Sequence, residues 1–475
     1  MKKSLSRRRF LKIAGAGSTL LALGSFGGWA ENRSKVKAKD LTHRQTESDV
    51  LVIGGGMAGL FAAVKAHDAG ARVLLVSKGR LGSSGMTPFA KGIFAYDPKT
   101  AKISLDEFVE KVSRSALGTN NPVYTRQMAE HSLERVNELR EWGFFDSPLY
   151  NKAFRNPIDQ RGIPVVERVM VTHLIKENGR IAGAAGFSLD DGKIHFFKSK
   201  SVILCTGAGG FKPNGFPIRD LTHDGTVMAY RIGAKVTGKE WNDGHFAQAT
   251  NPAACFDGWH GMFERKPEIT GVSIRHDLGV EMNYVAYLKG NPLRIGPPGS
   301  KVLNIEGGPY RPPEFRQPDH PGERPPSDDK KHGRRPPRGK GPKEGDAPPG
   351  MGGTIVGGAS AGMSIHKSEG LVPINDKCES NIPGLYAAGD ALGSYMAGAI
   401  YTQIGSSLAG SAVQGAIAGE AAAKYCTNVN MPNIPTEKMK QIEDEMLAPL
   451  KREAGYSPAW VTQTLQGSMI PNFFL

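Results

Sequence analysis

Residues 49–78, DVLVIGGGMAGLFAAVKAHDAGARVLLVSK, constrain the fold more than any other stretch of the chain. Asp49 to Ile53 is a short apolar run rich in β-branched residues, which predicts a strand. Gly54-Gly55-Gly56-Met57-Ala58-Gly59 follows at once. Leu60 to Ala69 then carries apolar residues at helical spacing, and Arg72 to Val76 predicts a second strand. Strand, glycine turn, helix and strand in this order make the βαβ unit that binds a dinucleotide. In such a unit Gly54 forms the tight turn, Gly56 admits a pyrophosphate to the backbone, and Gly59 lets the helix approach the strand. Met57 and Ala58 lie in this turn and are cofactor-binding candidates with it, and the N-terminal N–H groups of the helix that follows carry the partial positive charge that phosphates need. Chance glycine patterns are common in a chain with 60 glycines, so the flanking strands and helix are what give this one meaning.

The second strand of such a unit usually ends in Asp or Glu, which holds a ribose hydroxyl. Here it ends Val76-Ser77-Lys78, leaving that work to Ser77 or to backbone groups. A plain nicotinamide site is disfavoured.

A chain of 475 residues can bury a large core and predicts two lobes. Its formal charge of +14 suggests nucleic acid until the charge is located. Residues 1–44 hold eleven Lys and Arg against Glu31 and Asp40, which leaves the body only about +5. Nucleic acid is therefore not an expected partner. The four cysteines, at 205, 255, 378 and 426, have no CxxC, haem or iron–sulfur spacing, so no metal site is expected. They read as buried small hydrophobes or unpaired thiols, and any electron relay belongs to another chain.

Ser6-Arg7-Arg8-Arg9-Phe10-Leu11-Lys12 precedes a weakly apolar, glycine-rich stretch from Ile13 to Ala30. This is the pattern of a twin-arginine export signal, which addresses a protein to the translocase after it has folded. A periplasmic or other extracytoplasmic location follows, with a membrane anchor if the signal is not cleaved. No other stretch reaches eighteen apolar residues.

Along the body, Asp106–Leu117 and Pro122–Trp142 predict helices, and Val165–Ile175, Ile181–Phe187 and His195–Cys205 predict strands. Thr222–Ala234 predicts a helix behind Asp224-Gly225. Between residues 307 and 350 lie twelve of the 32 prolines among glycines and mixed charges. Such a tract cannot bury enough apolar area to order itself. Leu385-Tyr386-Ala387-Ala388-Gly389-Asp390 reads as a strand ending in Gly-Asp, and a small-residue helix follows over about 403–425. Glu437–Lys451 and Pro458–Gly467 predict the last helices.

The pairing of an N-terminal fingerprint with a second Gly-Asp strand end discriminates between dinucleotides. A nicotinamide site needs only the first; FAD needs the second to hold its ribityl chain near the flavin. Gly389 and Asp390 are the residues for that contact, the N-terminus of the helix from about Gln403 points at the ring, and Ser406, Ser407 and Leu408 are further cofactor-binding candidates.

At this point the chain resembles the succinate dehydrogenase/fumarate reductase flavoprotein family, with its relatives L-aspartate oxidase and adenylylsulfate reductase. The resemblance covers about residues 49–250 and 352–425. VSKGRLGSSGMTPFAKGI is similar to the family's second-strand segment, including Ser77-Lys78; SVILCTGAGG is similar to its glycine turn, with Thr206 and Gly207; HDGTVMAYRIGA is similar to its GDG helix, with Asp224. The fold so implied is α/β: a Rossmann-like FAD-binding domain with an inserted, reduced cap domain and a short C-terminal helical tail. The segments are 1–30 signal peptide, 31–48 linker, 49–250 first part of the FAD domain, 251–306 reduced cap, 307–350 disordered tract, 351–430 second part and 431–475 C-terminal helices.

Some members attach FAD through a histidine in an S-H-T segment, where this chain has Ser84-Gly85-Met86, so FAD should be non-covalent. The family's M-E-F-x-x-x-H-P-T strand is similar to Lys239–His245, which places His245 where the family has a histidine facing substrate. The H-x-T-M-G-G segment is matched only by Gly358–Met363, without histidine, and the G-A-x-R-L-G-G-N segment reads Gly398–Gly405 without its arginine. A dicarboxylate calls for charge-matched, often bidentate donors, so fumarate or succinate is a doubtful substrate. The proton donor of the family's cap, an arginine, has Arg265, Arg275, Arg294 and Arg311 as undistinguished counterparts.

Two functions fit this pattern. The first is hydride transfer between flavin N5 and a small organic substrate, with His245 and Tyr401 moving the proton and electrons exchanged with a separate protein. The second is a flavin-bound electron-transfer or assembly subunit without substrate chemistry.

Overall fold

The first strand begins seven residues before its apolar run. In the computed structural model, β1 spans Thr42–Ile53, so residues 42–48, read from sequence as linker, are strand. Its polar first half is fixed by a neighbour that sequence does not show. The ring of His43 stacks on Phe196, with centroids 6.5 Å apart, and Lys198 Nζ lies 2.8 Å from Glu47 Oε1. The structure describes residues 41–83, 85–89, 92–115, 118, 120–146, 151–209, 222–237, 370–393 and 406–452, with short pieces at 247–248, 268–270, 293–294, 354–356, 454–457 and 460–461. The chain divides into two compact units, Met1–Thr42 and His43–Leu475, and the described elements belong almost wholly to the second.

After β1 come α1 (Met57–Asp68), β2 (Val73–Ser77), the short β3 (Gly92–Phe94), α2 (Leu105–Ser115), α3 (Pro122–Glu141) and α4 (Asn151–Gln160). The helix α4 escaped sequence reading because Pro157 interrupts its pattern. Next are β4 (Val165–Glu167), β5 (Val169–Glu177), β6 (Arg180–Ser188), β7 (Lys193–Leu204) and α5 (Asp224–Arg231). The single strand expected over 165–175 is thus two strands. Arg168, at φ +61°, breaks it, so that β4 follows β2 while β5 turns to β6.

Short strands follow: β8 (Val236–Thr237), β9 (Ala247–Gln248), β10 (Glu268–Thr270), β11 (Leu293–Arg294), β12 (Thr354–Val356) and β13 (Gly370–Leu371). The order closes with β14 (Leu385–Ala387), α6 (Ser406–Thr427) and α7 (Thr436–Leu447). The signal segment, the tract 307–350, most of 251–306 and most of 458–467 lie outside the described residues.

The main sheet runs β4-β2-β1-β7-β6-β5, with β14 also paired to β7. The pairs β2–β4, β1–β2 and β7–β14 are parallel, while β5–β6–β7 is an antiparallel meander. β7 is long enough to serve both halves, pairing its start with β6 and Val202–Leu204 with Leu385–Ala387. The parallel strands are buried on both faces: all five residues of β2 and the last four of β1 are buried.

Two helices of small residues cover one face together. A Cβ added to Gly415 of α6 would lie 2.3 Å from Ala58 O of α1, and one on Gly419 would lie 2.5 Å from Ala62 O. Only glycine permits so close an approach of two backbones. Across the same region, Tyr124 Oη of α3 donates to Asn375 O at 2.8 Å and accepts from Cys378 N at 3.1 Å. Burial pushes the Cys378 thiol up to about 12, and Cys205 and Cys426 are also free, buried and raised by burial. These three are inert fillers, as expected.

Candidate cofactor site

Four strand ends meet at one edge of the sheet. Ile53, Ser77, Leu204 and Ala387 end β1, β2, β7 and β14, and the following residues interlock. Cys205 N donates to Ile53 O at 2.8 Å, Gly54 N to Val76 O at 2.8 Å, and Ala388 N to Leu204 O at 2.9 Å. Gly54 takes φ +119°, and a Cβ there would lie 2.1 Å from Cys205 O, so the turn admits no side chain. At Gly59 the Cβ would fall 1.8 Å from Gly54 O, which brings α1 hard against its own turn.

The start of α1 is open. Gly56 is its N-cap and supplies no side-chain cap; Met57 N donates to Thr87 Oγ1 at 3.1 Å. A Cβ on Gly56 would meet only Thr87 Oγ1, at 3.4 Å. This is a cradle of backbone N–H groups of the kind that takes a phosphate. Ala58 and Gly59 complete its first turn, both buried.

Ser77 is buried at the end of β2, with Oγ beside Gly55. Lys78 turns across the sheet edge: Nζ lies 2.8 Å from Thr222 Oγ1 and 3.0 Å from Asp224 Oδ2. Asp224 opens α5, and Thr222 Oγ1 also bonds to it. Thr206 and Gly207 follow β7; a Cβ on Gly225 would come within 2.0 Å of Thr206 Oγ1, so the start of α5 rests on that turn. Gly85 takes φ +72° with open space about it, and Met86 is half-buried beside it.

On the C-terminal side, Leu385–Asp390 is not strand to its end. Strand pairing stops at Ala387, and Gly389 to Leu392 form a 3-10 turn. Gly389, at φ +65°, packs so that a Cβ would meet Ser411 Oγ at 2.9 Å and the Ala58 side chain at 3.2 Å. The second signature therefore touches the first turn of the fingerprint helix. Ser406, Ser407 and Leu408 form the first described turn of α6, with Ser406 and Leu408 buried. His245, Tyr401, Ser84, Arg265, Arg275 and Arg311 lie outside the described residues; Arg294 is in β11, paired with Thr354.

Sequence reading missed two features here. The Lys78–Asp224 pair joins residues named separately, and nothing local signals their approach. Gln414 of α6 is 2% exposed, and its Oε1 accepts from Gly389 N at 2.9 Å. Its only sequence signal is a large polar residue in a helix of Ala and Gly. Among the described residues no group of three His, Cys, Asp or Glu could hold a metal. No described helix is long and apolar enough to cross a membrane.

Parallel strands whose ends carry a glycine-cradled helix N-terminus define a dinucleotide-binding α/β protein. Residues 49–161 and 147–255 match the model of the FAD binding domain family, to which the chain is similar over that span. Among curated relatives, it is 27% identical over 228 residues to a fumarate reductase (CoM/CoB) polypeptide of Methanothermobacter marburgensis, covering 41% of this chain and 41% of that protein. It is 30% identical over 219 residues to L-aspartate oxidase of Clostridium acetobutylicum, covering 39% of this chain and 48% of that protein. The matches thus span less than half of these relatives' length. In fold it is similar to the Mycobacterium smegmatis Sdh1 complex in the apo form, with TM-score 0.64 and 22% identity over 90% of this chain and 76% of that one. A variant of E. coli quinol fumarate reductase FrdA gives TM-score 0.59 and 18% identity over 90% and 78%.

FAD is the cofactor of this domain, and the residues present fit it. The cradle at Gly56 is approached by one side chain, Thr87, whose Oγ1 accepts from Met57 N, and the buried Thr206 Oγ1, Ser406 Oγ and Gln414 Nε2 lack hydrogen-bond partners among the described residues. A polar ligand with several acceptors and hydroxyls is what such a set requires.

Proposed function

We propose that this chain is a FAD-dependent oxidoreductase that moves a hydride between flavin N5 and a small organic substrate, exchanging electrons with a separate redox protein. The observation that carries the reading is the contact of Gly389 with Ala58, which places the two cofactor signatures at one edge of the sheet. When bound, FAD supplies the hydride and electron chemistry. The chain's own part is to seat the pyrophosphate at the start of α1, to place Asp390 beside the ribityl chain, and to move a proton through His245 or Tyr401. Gly85 leaves no histidine for covalent attachment, so FAD is held non-covalently. Residues 251–306 form the reduced cap, and the helices after residue 430 form a short tail.

The Ser6–Lys12 motif supports export of the folded, flavin-loaded protein by the twin-arginine translocase to the periplasm or an equivalent compartment. The redox partner is a separate chain, since the cysteine spacing here supports no iron–sulfur or haem relay.

A second reading is favoured by the missing arginine of Gly398–Gly405 and the missing histidine of Gly358–Met363. It makes the chain an electron-transfer or assembly subunit. Photoreducing the flavin-loaded protein without oxygen, then screening small acceptors for reoxidation, separates the two. Rapid reoxidation by one class of alkene or similar acceptor supports the enzyme; reoxidation by redox proteins alone sinks it.

A further inference from the structure

Gln414 stands between the two cofactor signatures. Its neighbour Gly415 lies against Ala58 O of α1, and its own Oε1 accepts from Gly389 N at 2.9 Å. The side chain is 2% exposed, and Nε2 meets no acceptor among the described residues. Nearby positions of α6 are Ala412, Val413, Ala416 and Ala418, all buried. A methionine would fill the same volume and bring no idle donor, though it would leave Gly389 N–H without its acceptor. An amide buried there, with its acceptor used and its donors idle, is explained by a partner that arrives later.

We propose that Gln414 is a positioning residue for FAD: Oε1 fixes the N–H of the Gly389 turn that presents Asp390, and Nε2 donates to the polar chain of the bound cofactor. This role rests on the FAD reading above. It couples occupancy of the site to the geometry of the second signature through a single side chain. It also accounts for a polar residue in a helix face otherwise built for close packing.

The test uses the full-length protein, stripped of flavin and titrated with FAD while flavin fluorescence and thermal unfolding are followed. For Gln414→Met the unliganded protein should still fold but unfold somewhat below the wild-type temperature, because Gly389 N–H loses its acceptor. Its FAD affinity should fall at least tenfold, and the bound flavin's visible spectrum should change. Should that variant not fold, Gln414→Glu gives a second readout. A protonated carboxyl can still donate and an ionised one cannot, so FAD affinity should weaken as pH rises, whereas wild type stays level. Unchanged FAD affinity in Gln414→Met, or wild-type affinity at every pH in Gln414→Glu, overturns the proposal. Failure of the wild type itself to bind FAD would instead overturn the reading beneath it.

Discussion

Lys78 Nζ lies 3.0 Å from Asp224 Oδ2, a contact between residues 146 positions apart that ties the end of β2 to the start of α5. The two side chains are 30% and 25% exposed, so the pair is worth little as a source of stability. Its effect is geometric. It holds a cation at the sheet edge where the usual acid is absent.

For this pair we predict that Lys78→Met and Asp224→Asn each weaken FAD binding, by about tenfold if one charge-assisted contact is lost. Stability of the unliganded protein should fall by no more than about 1 kcal/mol. Fluorescence titration and urea unfolding separate the two effects; a large loss of stability with intact FAD binding would refute the geometric role.

Because Gly85 occupies the attachment position, the flavin should leave when the protein is denatured. Acid precipitation is the check. Yellow colour should pass to the supernatant, and colour kept in the pellet would show a covalent bond.

Asp49 provides a pH prediction. Burial pushes its carboxyl up, but hydrogen bonds from Arg72 and Lys200, with the charge of Arg72, outweigh that and hold it at about 2. Its folded value lies below its unfolded one, so the stabilisation is present above about pH 4 and fades as pH falls toward 2. Asp49→Asn should cost about 1–2 kcal/mol at pH 7, after discounting for the exposed Arg72 partner. Urea midpoints at pH 7 and pH 3 should show the gap between wild type and variant closing in acid. A constant gap would assign the effect to something other than this charge.

The helix pair α1–α6 should be intolerant of any side chain at its contact. Gly415→Val places carbon about 2.3 Å from Ala58 O, so one helix must shift. A loss of about 2 kcal/mol or more is expected, as for overpacked cores, with loss of flavin. Calorimetry of the purified variant decides; wild-type melting and full flavin content would show that the helices separate freely.

His245→Ala should leave flavin content and stability nearly unchanged while slowing reoxidation by the true substrate about 10²-fold or more. If the variant instead loses FAD or unfolds, the histidine is structural and the electron-transfer reading gains.

The fingerprint was legible because its signal is local: β1, α1 and β2 follow one another, and glycine marks each close approach. The second signature was legible as a motif, although its last residues are a 3-10 turn rather than strand. What escaped depends on distant partners. Thr42–Ser48 has no apolar alternation and is strand because β7 lies beside it. Arg168 breaks a run read as one strand, at a left-handed φ that the sequence does not show. Gln414 carries no motif; only the fold brings it to Gly389.

The slot that β14 fills has a consequence for how the protein is made. Ser201 of β7 bonds to Gly384, which enters the chain 183 positions later. Until then β7 offers an unpaired edge, the kind of surface on which nascent chains stick to one another. The phosphate cradle can form early, while the far end of the cofactor has nothing to grip. Flavin capture is thus expected to be a late event in biosynthesis. Chains halted before Leu385 should carry no flavin on purification, however well their first half has folded.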